Sequence, residues 1–163
     1  MNDRPAIQLT DGSPVPADGS HTKLRPDGQQ QGYVVLAPEE RAKGFIRPYR
    51  DMYRHVGLRP VYPTRPLTTE ERERYASNGY VCFEAYPESE APKTGRFWTE
   101  AQLHSGCGQI TTMGRSLSET YAREPNFYSG TFCATCGKHF PVGEQGEFVW
   151  IEPNGSDGPR VGT

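Results

Sequence analysis

The stretch Cys133-Ala-Thr-Cys136-Gly-Lys138 decides how this chain folds. It places two thiols two residues apart and follows the second with a glycine. This spacing lets both sulfurs bind one metal ion from a single turn of the backbone. Gly137 can take the positive φ that such a turn needs, and it leaves room for backbone amides near the sulfurs. Two thiolates supply at most half of a tetrahedral site, so the other ligands must come from elsewhere in the chain.

A second motif upstream, His104-Ser-Gly-Cys107-Gly108, repeats the two-residue gap and the trailing glycine. Together the two motifs predict a Zn²⁺ site made by Cys107, Cys133, Cys136 and His104. The pattern resembles a zinc ribbon in which a histidine replaces one cysteine. His139 is the alternative fourth ligand, because it follows Cys136 by only a few residues.

Other interpretations of the cysteines fit the sequence less well. A redox Cys-x-x-Cys pair needs the N-terminus of a helix to lower its thiol pKa, whereas a hairpin turn is expected around residues 131–141. Zinc deaminases use H-x-E followed by P-C-x-x-C, and this chain has neither the glutamate nor the proline. Cys82 lies in a predicted strand over residues 80–86 and is assigned to the core. We therefore expect no catalytic activity.

Composition predicts an irregular fold. Apolar residues make up 34% of the chain, and 18 glycines and 15 prolines favour turns over long helices. We predict an α+β fold, a small irregular domain with short helices and β-hairpins organised around the zinc-ribbon-like site. Residues 1–32 are expected to be a disordered or extended N-terminal arm. Residues 33–152 are expected to form a single zinc-stabilised domain with its ribbon-like part at 97–151, and residues 153–163 a flexible tail.

Local patterns predict several elements. Apolar residues at positions 49, 52, 53 and 56 have helical spacing and predict a helix over residues 48–57. Capping boxes predict helix starts at Thr68 and Ser116. Residues 139–142 and 147–151 are predicted to pair as a hairpin. The chain has no apolar run near 18 residues and no apolar N-terminal segment, so we expect neither a membrane span nor a secretory signal, and a cytoplasmic location.

The segment 41–65 is strongly basic, with seven basic residues and one acidic residue. Arginines interleaved with aromatic rings are typical of single-stranded nucleic acid binding. The candidate contacts are Arg47, Arg50, Arg54, Tyr49 and Tyr53. The alternative, which we favour, is that the tyrosines are core and the arginines pair with residues 66–163, whose net charge is −5.

Two stretches, Leu36 to Gly57 and Gly106 to Cys136, resemble small proteins of unassigned function that are encoded by bacteriophages and prophages. The resemblance implies a bacterial host cytoplasm and an accessory role. The expected function is that of a zinc-binding accessory protein that binds a macromolecular partner, in the first place a protein. A nucleic-acid-binding protein is the second expectation, and a zinc-dependent enzyme the third.

Overall fold

The computed structural model describes residues 4–163 and confirms the α+β class. The described residues form four short α-helices and eleven short strands, and the strand pairs among them are antiparallel. The helices are α1 (Pro38–Arg41), α2 (Thr69–Arg74), α3 (Glu100–Leu103) and α4 (Arg115–Arg123). The strands are β1 (Ile7–Leu9), β2 (Val34–Leu36), β3 (Met52–His55), β4 (Thr64–Pro66), β5 (Tyr80–Ala85), β6 (Gly95–Thr99), β7 (Ile110–Thr112), β8 (Gly130–Cys133), β9 (Lys138–Pro141), β10 (Phe148–Ile151) and β11 (Asp157–Arg160).

The elements fall into two compact units, where the sequence predicted a single domain over 33–152. The first unit comprises Met1–His55 and Gly108–Thr163, and the second comprises Val56–Cys107. The second unit is therefore an insertion in the chain of the first. Among residues 4–163, no helix is long and apolar enough to cross a membrane.

The first unit is built on a four-stranded sheet with the order β11-β10-β3-β7. Its central strand β3 pairs Tyr53 with Trp150 on one side and with Thr111 on the other. Tyr53, Trp150 and the neighbouring Phe148 are buried, and their rings meet edge to face. Such aromatic pairs add to the stabilisation that burial of their area provides. The core of this unit therefore lies against one face of β3 and β10.

Strand β3 replaces the helix predicted over residues 48–57. Its burial alternates, since Tyr53 and His55 are buried while Met52 and Arg54 are not. A period of two is the signature of a strand with one buried face. The helix prediction was wrong. The apolar residues at 49, 52, 53 and 56 have helical spacing, but pairing with β10 on one side and β7 on the other determines the structure of this segment.

Both chain ends contribute strands, although the sequence predicted an arm over 1–32 and a flexible tail over 153–163. Of the arm, residues 1–3 lie outside the described part of the chain. Strand β1 pairs with β2, placing Ile7 opposite Leu36. Strand β11 pairs with β10, and Val161 just beyond it is fully buried. The structure thus places these segments against the strands of the first unit.

Strands β8 and β9 form their own two-stranded hairpin, with Phe132 opposite His139. The sequence predicted a hairpin between residues 139–142 and 147–151. Both segments are strands, but β9 pairs back with β8 while β10 joins β3 and β11. The pairing was mispredicted because the short connection to residues 147–151 favoured them as the partner of β9. The actual partner, β8, precedes β9 in the sequence. The hairpin β8–β9 carries the Cys-x-x-Cys turn at its tip.

The second unit is a three-stranded sheet, β4-β5-β6, with helices α2 and α3. Its buried centre is Trp98, whose Nε1 donates to the Glu84 carboxylate at 3.0 Å. The predicted capping box at Thr68 is present, with both of its reciprocal hydrogen bonds. In the first unit, α4 forms where predicted, but it begins after Gly114 without a side-chain cap, and Glu119 instead pairs with Arg41.

Candidate metal centre

Four side chains that can bind one metal ion meet in the structure: His55, Cys107, Cys133 and Cys136. Their ligand atoms all lie within 4.8 Å of one another. The distance between Cys136 Sγ and His55 Nδ1 is 3.5 Å. A tetrahedral zinc site with its usual Zn–S and Zn–N bond lengths has an S···N edge of about 3.5 Å. The group is therefore close enough to bind a metal ion, and this edge already has the length that a zinc ion requires.

The β8–β9 hairpin supplies two of the four ligands. Cys133 is the last residue of β8, and Cys136 lies in the turn before β9. The Cys136 amide donates a hydrogen bond to Cys133 Sγ, with 3.5 Å between nitrogen and sulfur. The Gly137 amide donates to the Cys133 carbonyl at 2.8 Å. Gly137 has φ 67°, as the sequence led us to expect. An L side chain rarely adopts that conformation, so glycine is needed for the turn that brings both sulfurs together.

Cys107 is positioned through the residue that follows it. Gly108, at φ 75°, donates its amide to the His55 carbonyl at 2.8 Å. The His55 amide in turn donates to the carbonyl of Gln109 at 3.1 Å. These two backbone hydrogen bonds extend the pairing of β3 with β7 and fix the end of β3 to the chain beside Cys107. Cys107, which carries the third thiol, directly precedes the glycine that these hydrogen bonds hold, Gly108.

His55 is fully buried and completes the group. Its ring packs against both Phe140 and Phe148, with centroid distances of 4.3 and 4.9 Å. Its Nε2 lies 2.9 Å from Glu147 Oε1, while its Nδ1 faces the sulfur of Cys136. A carboxylate that accepts Nε2–H fixes the tautomer of the imidazole and leaves the Nδ1 lone pair for a metal. Glu147 therefore orients the histidine as the second residue of a carboxylate–histidine–metal arrangement.

The histidine of the group differs from both histidines that the sequence suggested. His104 follows the last residue of α3, and its side chain is 73% exposed and paired with Glu100 at 2.8 Å. His139 lies on β9 with its Nε2 2.8 Å from the Tyr33 hydroxyl, and burial lowers its pKa. The equal gaps suggested two matched motifs. His104 does not join the group because it directly follows α3, which ends at Leu103, and pairs there with Glu100. Cys107 lies three residues further along the chain.

A strand interpretation of residues 52–55 would have found His55. His55 lies two positions after Tyr53, so both side chains lie on the same face of β3. A histidine on the buried face of a strand needs a polar partner, which makes it a ligand candidate.

Cys82, assigned to the core from the sequence, lies on β5 and is not among the four residues. Burial raises the pKa of its thiol.

The basic segment makes internal ion pairs in the structure. Arg50 lies 2.8 Å from Glu152, and Arg54 lies 3.1 Å from Asp157. Arg47 donates to the carbonyl of Thr163 at 3.2 Å. These contacts correspond to the pairing with the acidic C-terminal half that the sequence favoured.

The two candidate aromatic contacts differ from each other. Tyr53 is buried in the core and donates its hydroxyl hydrogen to the carbonyl of Phe132. Burial raises its pKa to about 12. Tyr49 is exposed. Of the two rings, Tyr49 alone is therefore placed where a base could stack on it.

Comparison of the chain with protein families, with curated proteins and with solved structures finds no match. The chemistry of the site is therefore argued from its geometry. Three sulfurs and one imidazole nitrogen lie within 4.8 Å of one another, and four protein ligands would fill the coordination of a tetrahedral ion. Such a closed arrangement suits a metal that holds protein segments together.

Proposed function

We propose that the protein is a zinc-binding accessory protein whose Cys₃His centre is structural, and that it acts by binding a macromolecular partner. The observation that supports zinc is the donor set. Three thiolates and one imidazole are the ligands that zinc prefers, whereas Mg²⁺ and Ca²⁺ prefer oxygen. Four ligands from the protein leave no coordination position for a catalytic water. The role proposed for the ion is therefore stabilisation, and an enzyme is the least supported of the three expectations.

The proposed ion would add a covalent-strength link between three segments that strand pairing and a few hydrogen bonds already bring together. It would connect the end of β3, the chain entering β7 and the β8–β9 hairpin through His55, Cys107 and the Cys133–Cys136 turn. Structural zinc contributes on the order of 10 kcal/mol in small modules. Sheets of two to four short strands bury limited apolar surface, so a contribution of that size matters for the stability of this unit.

An exposed apolar segment supports binding to a protein. Between α1 and β3 the chain runs without regular structure and exposes Phe45 by 43%, Ile46 by 60% and Tyr49. Met52, the first residue of β3, is exposed as well. Several exposed apolar side chains in one short segment are typical of protein interaction sites. We extend the proposal to a phage-type accessory protein of the bacterial cytoplasm on the resemblance described above.

Two experiments test these proposals. Elemental analysis of protein purified without chelator should give close to one zinc per chain, and a clearly substoichiometric content would contradict the structural role. For the partner, tagged wild-type protein and its Ile46→Asp variant are compared by pull-down from host cells. Val61→Asp is the matched control, because Val61 is exposed by 70% on the second unit. A partner that is lost with Ile46→Asp and retained with Val61→Asp supports the proposed surface, and equal capture by all three rejects it.

A further inference from the structure

A cleft of about 420 Å³ opens in the first unit, apart from the four metal-binding side chains. Its walls come from the N-terminal segment, β3, β7, α4 and β8. Nine of its sixteen lining residues carry a hydroxyl group, and none carries a charged side chain. The volume lies within the range of small-molecule sites. A cleft of this size with so many hydroxyls and no charge indicates a neutral, polar ligand.

The tyrosine hydroxyls of the cleft are mainly hydrogen-bond acceptors. Tyr53 donates its hydrogen to the carbonyl of Phe132, and Tyr128 donates to the carbonyl of Val34 at 2.6 Å. Each phenol has one hydrogen to donate, so its remaining capacity is that of an acceptor. Burial raises the pKa values of both tyrosines, so the hydroxyls stay neutral. A ligand that satisfies these oxygens must bring its own O–H or N–H donors.

Tyr121 adds a hydroxyl that is not satisfied within the protein. The residue lines the cleft and is 3% exposed, and its buried hydroxyl has no hydrogen-bond partner. The neighbouring Thr131 hydroxyl acts to lower the Tyr121 pKa, but it does not meet the geometry of a hydrogen bond. Leaving such a group unpaired is unfavourable, and each case in a native structure calls for an explanation. A bound ligand would provide the missing partner.

We propose that this cleft binds a neutral sugar unit, that is, a ring compound with several hydroxyl groups. Sugar hydroxyls both donate and accept, which suits oxygens whose own hydrogens are already used. The C–H face of a sugar ring is apolar and packs against aromatic rings such as those of Tyr33 and Phe132. A charged ligand would be desolvated here without an opposite charge, which is unfavourable.

The cleft goes beyond the proposed metal role, but the two share a wall. Phe132 and Ala134, on either side of Cys133, line the cleft, and the Ala134 amide donates to Thr111 Oγ1 at 3.1 Å. The test is therefore made on the full chain loaded with zinc, where this wall is held in place. Failure of sugar binding in zinc-loaded, folded protein would then reject the cleft proposal and leave the metal proposal standing.

The test is an NMR titration of ¹⁵N-labelled protein with glucose, galactose, N-acetylglucosamine and maltose. We expect at least one of them, at concentrations up to about 10 mM, to shift the amide signals of Thr111, Thr131 and other cleft residues. Glucuronate serves as a charged sugar, and adenine as a neutral ring compound without a sugar. The proposal is overturned if no neutral sugar shifts these signals, or if glucuronate or adenine shifts them at lower concentration than every neutral sugar does.

The Tyr121→Phe variant tests the unpaired hydroxyl. Its melting temperature should equal or exceed that of the wild type, because removing an unpaired buried hydroxyl costs no hydrogen bond. Its affinity for the best sugar should fall about 3- to 10-fold, as expected for one lost hydrogen bond. Tyr49→Phe removes an exposed hydroxyl outside the cleft and is the matched control, with unchanged affinity expected. Equal sugar affinity of Tyr121→Phe and wild type would reject this assignment.

Discussion

Replacing His55 with alanine should abolish the stabilisation of the fold by zinc. Wild-type protein at a free zinc concentration 1,000 times its dissociation constant gains about 4 kcal/mol relative to the metal-free protein. For a chain of 163 residues, 1 kcal/mol corresponds to about 2–4 °C in melting temperature. The wild type should therefore melt about 8–16 °C higher with zinc than with a chelator. His55→Ala removes one ligand of four, and this difference should shrink to about 0–2 °C.

The substitution also has costs that are unrelated to zinc. It removes the ring that packs against Phe140 and Phe148 and leaves the Glu147 carboxylate without its histidine partner. Together these effects should lower stability by about 3–5 kcal/mol. They act with zinc and with chelator alike, so the difference between the two melting temperatures isolates the metal. Cys136→Ser keeps nearly the same side-chain volume. It should lose the same difference in melting temperature between zinc and chelator, with a smaller loss of stability in chelator.

The assay is differential scanning calorimetry or thermal melting followed by circular dichroism, in zinc and in chelator. His104→Ala and His139→Ala are the matched controls, since neither residue is among the four in the structure. Both should keep the full zinc-dependent difference. The reasoning is refuted if His55→Ala keeps a wild-type difference, or if His104→Ala or His139→Ala loses it.

Three further predictions concern the surroundings of the site. In native zinc-loaded protein a thiol reagent should modify mainly Cys82, and all four cysteines should react after denaturation with chelator; equal native reactivity of all four would contradict the metal site. Glu147→Gln should weaken zinc binding about 10-fold in a competition with a chelating dye while the fold is retained, because the carboxylate orients the imidazole; unchanged affinity would mean that Glu147 has no positioning role. Replacing Arg47, Arg50 and Arg54 with glutamine should lower stability by about 0–1 kcal/mol for each ion pair lost and leave nucleic acid binding unchanged. Wild-type protein that binds single-stranded DNA at micromolar concentration with a steep salt dependence, which the triple variant loses, would instead favour a nucleic acid interface.

The pairing of Cys133 with Cys136 in one turn could be predicted from sequence because the information for it is local. The turn Cys133–Gly137 needs two thiols at a fixed gap and a glycine with positive φ, and all of these are readable in one short stretch. The α+β class followed in the same way from glycine, proline and short apolar runs. The Thr68 capping box is equally local, and it forms as predicted.

The histidine of the group could not be found by spacing because its place there depends on strand pairing. His55 reaches the site because β3 lies between β10 and β7, whose residues are far away in sequence. Pairing of that kind is set by the sum of contacts over the whole sheet and not by a local pattern. The same reason explains the mispredicted hairpin, since β10 pairs with β3, from which more than ninety residues of sequence separate it. Helical spacing at 49, 52, 53 and 56 was compatible with both structures and could not decide between them.

One face of β3 connects the two sites proposed for this protein. Tyr53 lines the cleft, and His55, two residues further along the strand, belongs to the metal group. Tyr53 also donates its hydroxyl hydrogen to the carbonyl of Phe132, the residue before Cys133, so a ligand-bearing strand is tied to the wall of the cleft. If the proposed zinc is removed, the β8–β9 turn loses its two metal–sulfur bonds, and hydrogen bonds such as those from Tyr53 to Phe132 and from the Ala134 amide to Thr111 remain. The physical expectation is that chelation loosens the cleft along with the metal site, because the same two strands form a wall of each.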